Sequence, residues 1–242
     1  MRIGLFPQYS FSQEFIPISA DSADQFILDP AHFNPEDHNA RILRHEPFGN
    51  KKEAVYERDK KEDGTPVIKA TSKQAISSVT TPLRTDPFEF KHLEWEWKIE
   101  GVLESGDLTK KDGDDFVARI YVTFDYPVSD LPFGEKVKYR LYNTFTSFEI
   151  PLRSLNYVWA SREKVGTIAE SPFTNWVQYI VVNSGNEEAG NWISLKRNIV
   201  DDYRKAFGED PREITGITIM TDSDNTEEST KAWFGKIILS KE

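Results

Sequence analysis

Cysteine is absent from these 242 residues, which excludes a disulfide framework, a thiolate nucleophile and any Cys-ligated zinc or iron–sulfur site. Histidine is scarce: His32, His38, His45 and His92 are the four. None falls in an H-E-x-x-H or two-His-one-carboxylate spacing, and the pair His32 and His38 has no supporting motif, so they read as loop histidines. A G-x-S-x-G elbow is missing, and no Gly-rich turn leads from a strand into a helix. Serine-hydrolase and phosphate-cradling sites are excluded on that ground. No run approaches the roughly 18 apolar residues of a membrane span. Pro7 and Gln8 interrupt the apolar opening Ile3–Phe6 far short of a signal-peptide core. That predicts a cytoplasmic chain, or a periplasmic or secreted one whose leader has been removed. Positive charge is also in deficit, with 30 Lys plus Arg against 40 Asp plus Glu, a net charge of −10 and no dense basic run. Nucleic acid and anionic membrane surfaces are therefore poor partners.

What is present is alternation. Leu93, Trp95, Trp97 and Ile99 fall on one face of a segment whose other face is Glu94, Glu96, Lys98 and Glu100, the period of a strand with one buried side. Phe116–Phe124 alternates in the same way. Val67–Thr71, Ala75–Thr80, Lys136–Asn143, Leu155–Ala160, Trp176–Val182, Ile214–Met220 and Trp233–Leu239 are further predicted strands, set apart by Gly, Pro, Asn and Asp turns. Trp95, Trp97 and Trp233 have the spacing of core residues. One segment keeps the other period: Trp192, Leu195, Ile199, Tyr203 and Phe207 recur at three and four, with Gly208 at the stop position. It predicts an amphipathic helix of about four turns. The sum is an all-β fold, a two-sheet antiparallel β-sandwich of jelly-roll or galactose-binding-like type with one amphipathic crossover helix. It is read as a single domain over 1–242, with residues 1–60 as an irregular N-terminal wrap.

The strand Leu93–Glu100, the run Gly106–Arg119, the block Leu155–Ala160, the helix end Asp202–Gly208 and the turn Met220–Thr226 together resemble a bacterial family of unknown function, numbered 3047 among such domains, from about residue 90 to the C-terminus. The resemblance implies one domain from a bacterium and an exported, envelope-associated protein. It implies no activity, so no catalytic residue is carried over.

Two acidic turns are the candidates for a metal. Asp112, Asp114 and Asp115 crowd just before the strand that ends at Phe124, and Asp222 and Asp224 follow directly on Ile217–Met220. Clustered carboxylates repel unless a cation neutralises them, and Ca²⁺ takes such oxygens. The competing reading is a pair of solvated turns in which Asp caps backbone N–H groups. An EF-hand is rejected, because Glu227 and Trp233 occupy the positions that need Gly and Glu. If the two strands are neighbours with coincident ends, the turns meet at one rim. Arg119 and Tyr121 stand on the polar side of the strand beyond the first turn, where they contact either a ligand or, in the plainer reading, a carboxylate across the sheet. Asn156, Tyr157, Trp159 and Trp176 are candidate sugar contacts, since ring faces pack on carbohydrate C–H surfaces and amides bind hydroxyls; core packing accounts for the rings almost as well. Glu94 and Glu96 have a spacing compatible with glycoside hydrolysis, yet they read better as a solvated face. The functional expectation is a module binding carbohydrate or another polar ligand in a groove, with structural calcium. The alternatives are a polysaccharide-acting hydrolase or lyase, or a purely structural envelope protein.

Overall fold

Residues 15–18, 23–145 and 152–242 are described in the computed structural model; the apolar opening Ile3–Phe6 lies outside them. Chain order gives β1 (Ile16–Pro17), β2 (Gln25–Leu28), β3 (Arg44–Pro47), β4 (Val55–Lys60), β5 (Pro66–Lys73), β6 (Ile76–Thr85) and β7 (His92–Ile99). Then follow β8 (Arg119–Phe124), helix α1 (Phe133–Phe145), β9 (Ser154–Ala160), β10 (Ile168–Glu170), β11 (Val177–Ser184) and β12 (Ile193–Asn198). Helix α2 (Ile199–Phe207), β13 (Ile214–Asp222) and β14 (Ser229–Ser240) complete the chain.

The strands form the expected sandwich of two sheets. The larger runs β1-β6-β13-β8-β9-β11-β10, with β3 sharing the outer edge of β6; the smaller runs β12-β7-β14-β5-β4, with β2 sharing an edge of β14. Pairing is antiparallel except for β1 with β6 and β9 with β11. Residues 25–60, read from sequence as a wrap, supply β2 and β4 to the smaller sheet and β3 to the larger. Strands β13 and β14, the last two in the chain, lie in the interior of the two sheets.

The inner faces meet in one apolar core. Trp95, Trp97 and Ile99 from β7 pack against Tyr157 and Trp159 from β9, with Ile120, Val122, Ile217 and Ile219 around them. The Trp97 and Trp159 ring centroids are 6.0 Å apart, and the Trp97 indole N–H donates to Asn183 Oδ1 (3.0 Å). Buried indoles usually find such a partner.

Two elements differ from the sequence reading. Residues 136–143, predicted as a strand, belong to α1. The predicted four-turn helix is a strand followed by a shorter helix: 193–198 pair with β7, and α2 begins only after Asn198, whose side chain accepts from Asp201 N–H. That cap satisfies an orphan donor of the first turn, and Gly208, at φ 72°, closes the last. Since β12 and β13 lie in different sheets, α2 links the two. It is tied down at Asp202, whose carboxylate accepts from Tyr157 Oη (3.0 Å), Arg197 Nε (2.8 Å) and Arg197 Nη2 (2.6 Å). Removing that carboxylate strands a buried hydroxyl and a guanidinium. Asp202→Ala is expected to lower stability by about 3 kcal/mol, read as a lower urea midpoint with an unchanged slope.

Candidate functional site

Antiparallel pairing of β8 with β13 sets Arg119 opposite Met220. The turn entering β8 and the turn leaving β13 therefore come to one rim of the larger sheet. Arg119, 4% exposed, forms an ion pair with the fully buried Asp222 through Nη2 and Oδ2. The other Asp222 oxygen accepts from the Phe116 backbone N–H (3.1 Å). Burial works against the Arg119 charge, but the Asp222 carboxylate beside it, with Tyr121 and Asp114 nearby, holds the guanidinium firmly protonated. Burial likewise pushes the Asp222 carboxyl upward, and Arg119 opposes that shift.

Asp115 staples the two turns. Its Oδ2 accepts from Asn225 N–H (2.9 Å), Thr226 N–H (2.6 Å) and Thr226 Oγ1 (2.8 Å), and its Oδ1 from Asn225 Nδ2 (2.9 Å). Carboxylate oxygens of Asp115, Asp222 and Asp224 lie within 4.8 Å of one another, a group able to hold a metal ion. Asp224 is paired with Lys51 through Oδ2, while its Oδ1 is buried with no hydrogen-bond partner among the described residues. Asp112 stands exposed on a short 3-10 turn outside this group. Asp114 faces the other way and accepts from Tyr179 Oη (2.5 Å). Burial raises its pKa to about 6, with Arg119 and the Tyr179 hydroxyl pulling down and Asp115 and Asp224 pushing up. Gly113, ahead of these acids, is packed so closely on the Asp107 backbone that a Cβ would meet Asp107 N at 2.9 Å. Asp107 itself caps its own turn, accepting from Thr109 N–H (3.0 Å) and Thr109 Oγ1 (2.6 Å).

Beyond the rim, the outward face of the larger sheet is rich in hydroxyl and amide groups. Register aligns Thr80, Thr218, Tyr121, Asn156 and Tyr179 across β6, β13, β8, β9 and β11. Thr80, Thr218 and Tyr121 are half-buried; Asn156 and Tyr179 are buried. Phe116 folds over this face against Tyr179 (5.1 Å), with Leu108 and Val158 beside it. Phe116 precedes β8 and takes this outer side, although a strand starting at 116 would point it to the core. Asn156 is wholly buried with its amide beside the Tyr121 hydroxyl, and neither amide atom reaches good hydrogen-bond geometry with a described residue; Ser154 Oγ two residues earlier and Arg119 Nε are likewise without a partner among the described residues. Burial raises the Tyr121 phenol, opposed by Arg119 and, less, by the adjacent Asn156 amide.

Of the sequence candidates, Arg119, Tyr121 and Asn156 thus share this outward face with the acidic rim. Tyr157 and Trp159 point into the core at 0–1% exposure. Trp176 is fully buried against Tyr139 of α1 (5.3 Å), with Leu131 and Leu152. No ring face of these three is open. Sequence reasoning passed over Ser154, Tyr179 and Lys51. Ser154 was legible, being two residues from Asn156 on one strand; Tyr179 and Lys51 are brought in only by sheet order and by the fold of the N-terminal region.

Residues 43–238 match the family described as protein of unknown function (DUF3047). The chain belongs to that family. No curated protein matches it. Among solved structures, it is similar to the family 30 carbohydrate-binding module of the cellulosomal cellulase Cel9D-Cel44B of Clostridium thermocellum, at 15% identity and a TM-score of 0.37, covering 81% of this chain and 86% of that one. It is similar to Caldicellulosiruptor saccharolyticus CBM27-1, solved in complex with mannohexaose, at 11% identity and a TM-score of 0.38, covering 91% and 99%. The cellulose induced protein Cip1 gives 9% identity and a TM-score of 0.37, covering 88% and 96%. Likeness at these values bears on neither site nor ligand.

The raised Asp114 carboxyl has a measurable consequence. The folded protein keeps a proton on Asp114 up to about pH 6, whereas the unfolded chain releases it near pH 4. The folded state therefore binds more protons between those values, and this group's contribution to stability falls as pH rises from about 4 to above 6. A shift of roughly two units corresponds to about 3 kcal/mol. Asp114→Asn is expected to gain stability relative to the parent protein across that window, by urea unfolding at pH 4.5 and pH 7.

Proposed function

We propose that this family member is a non-catalytic binding module that takes a carbohydrate, or another ligand rich in hydroxyls, on the outward face of the larger sheet, with a divalent cation held at the adjoining rim. The observation that carries this reading is the cluster of buried polar atoms that form no well-made hydrogen bond among the described residues: both amide atoms of Asn156, Ser154 Oγ and Arg119 Nε. A buried donor or acceptor without a partner costs about 1–3 kcal/mol, and native proteins leave few such groups. Several on one patch of sheet are accounted for by a ligand that satisfies them. An amide and a hydroxyl offer both donor and acceptor capacity, which suits sugar hydroxyls, themselves both donor and acceptor. The half-buried Tyr121 marks the edge from which a ligand reaches them.

The cation reading rests on charge. Among the described residues, the ion pairs and near charges of Asp114, Asp115, Asp222 and Asp224 set four carboxylates against two cations, Arg119 and Lys51, so negative charge is in excess at low solvent exposure. Asp115, Asp222 and Asp224 supply carboxylate oxygens within reach of one ion, and Asp224 Oδ1 is uncommitted. All-oxygen ligation of flexible geometry favours Ca²⁺ over Mg²⁺. The non-catalytic reading is supported by Glu94 and Glu96, which sit in ion pairs with Lys196 (2.8 Å) and Lys61 (2.5 Å) instead of flanking a cleft.

Two measurements test this. Calorimetry with a panel of soluble oligosaccharides is expected to show binding that Asn156→Ala weakens by about tenfold, the loss of one good pair of hydrogen bonds. Ordered water filling the same place would instead give no heat with any sugar. Ca²⁺ is expected to raise the unfolding temperature, chelation to reverse the rise, and Asp224→Asn to abolish it while leaving the metal-free protein folded.

A further inference from the structure

The outward face of the smaller sheet carries a second constellation. Register sets Lys98 of β7 opposite Trp233 of β14, and Trp192 stands at the entry to β12, one residue before the pair of Ile193 with Trp97. The Lys98 ammonium lies 4.5 Å from the Trp233 ring centroid and 5.5 Å from that of Trp192. Both rings are half-exposed, two strand spacings apart, which is roughly 10 Å. Each is held in place. Trp233 Nε1 donates to Asp59 Oδ2 (2.9 Å), and the Lys61 ammonium sits 4.2 Å from the Trp192 centroid while pairing with Glu96 at 2.5 Å. Gly235 leaves room for the Glu96 side chain, since a Cβ there would collide with it.

The charges around the rings cancel in pairs: Lys61 with Glu96, Lys69 with Glu57 (3.3 Å), Lys196 with Glu94 and Lys231 with Glu100 (2.7 Å). Lys98 makes no ion pair among the described residues and leans on the two rings, and its charge is balanced by the nearby Asp59 carboxylate that the Trp233 indole holds. A face with rigid apolar plates, spaced polar groups and no net field does not recruit a polyanion, and the charge of −10 on the whole chain repels one. It suits an extended uncharged polymer whose flat C–H faces cover the rings and whose hydroxyls meet the polar groups between them.

We propose that this face is a second ligand site, binding an uncharged polysaccharide chain across β12, β7 and β14, with Trp192 and Trp233 as stacking platforms and Lys98, Glu96 and Asp59 as hydroxyl partners. It lies on the opposite side of the molecule from the Asn156 site and does not depend on it. Affinity electrophoresis through gels containing glucomannan, xylan or mixed-linkage β-glucan tests it, with polygalacturonate as the charged control. At least one neutral polymer is expected to retard the parent protein. Trp192→Ala and Trp233→Ala are each expected to weaken that retardation by about tenfold, Lys98→Ala by less, and Asn156→Ala not at all. Thermal unfolding confirms that each variant is folded; both rings lie outside the core, and Lys98→Ala supplies the readout should either Trp variant fail to fold. The proposal is overturned if no neutral polymer retards the protein, if retardation survives in the folded Trp variants, or if polygalacturonate is retained through the same rings. Retardation lost only in Asn156→Ala would sink this site and leave the larger-sheet site standing.

Discussion

A guanidinium and a carboxylate sealed away from water at the end of two adjacent strands hold together the acidic rim and the outward face of the larger sheet. Arg119 comes from the first residue of β8 and Asp222 from the last of β13. Neither charge is tolerable in that environment without the other. Because the second Asp222 oxygen takes the Phe116 N–H, the pair also fixes where the long segment between β7 and β8 must end. Phe116 is then delivered onto the outward face of the sheet, where with Leu108, Val158 and Tyr179 it builds a small second core. Asn156, Arg119 and Asp114 are buried on the same side of the sheet as this cluster.

Carboxylates elsewhere in this region serve as backbone clamps. Asp115 gathers the turn at 225–226, Asp107 its own turn, and Glu228 takes the N–H groups of Glu104 (2.9 Å) and Ser105 (2.8 Å). The plain reading of the acidic residues as turn caps therefore describes Asp107 well, and the metal reading concerns the three that converge. The same surplus of negative charge can be relieved in two ways, by a proton on Asp114 or by a cation at the rim. Acidification would therefore compete with the cation proposed for this rim.

Period-two alternation made the sheet legible: Leu93–Glu100 emerges as β7 with its Trp face inward, and the meeting of the two acidic turns follows from β8 and β13 being antiparallel neighbours. Alternation tells which residues share a face, not which face is inside: among the candidate contacts Asn156, Tyr157 and Trp159, Asn156 turns outward while Tyr157 and Trp159 join the core, the plainer reading of those rings. Cross-strand register, which a single strand does not carry, decides that Asn156 turns toward Tyr121 while they turn inward. Trp233 fails for another reason. Counting back by twos from Leu239 and Ile237 assigns it to the core, but β14 is irregular between Phe234 and Ile237, and a bulge exchanges the two faces on either side of it. Phe234 turns inward and Trp233 outward. At the start of α2, Trp192 and Leu195 mimic a helical stripe although they stand on opposite faces of the β12 segment; the cap Asn198 with Asp201 and Asp202 was the truer signal of where the helix begins. Residues 136–143 misread as a strand because Val137, Tyr139 and Leu141 alternate, yet in α1 Tyr139 is buried while Val137 and Leu141 are exposed.

The placement of β13 and β14 bears on how the chain comes into being. On the ribosome, synthesis reaches residue 213 with β6 and β8 complete but no strand to lie between them, and β5 and β7 await β14 in the same way. Neither layer has its full set of interior strands until residues 214–240 emerge. The nascent polypeptide therefore carries unpaired strand edges and uncovered apolar surface through most of its elongation, the condition under which chaperones engage and aggregation competes. A chain cut before residue 214 would lack an interior strand of both layers, not a dispensable tail.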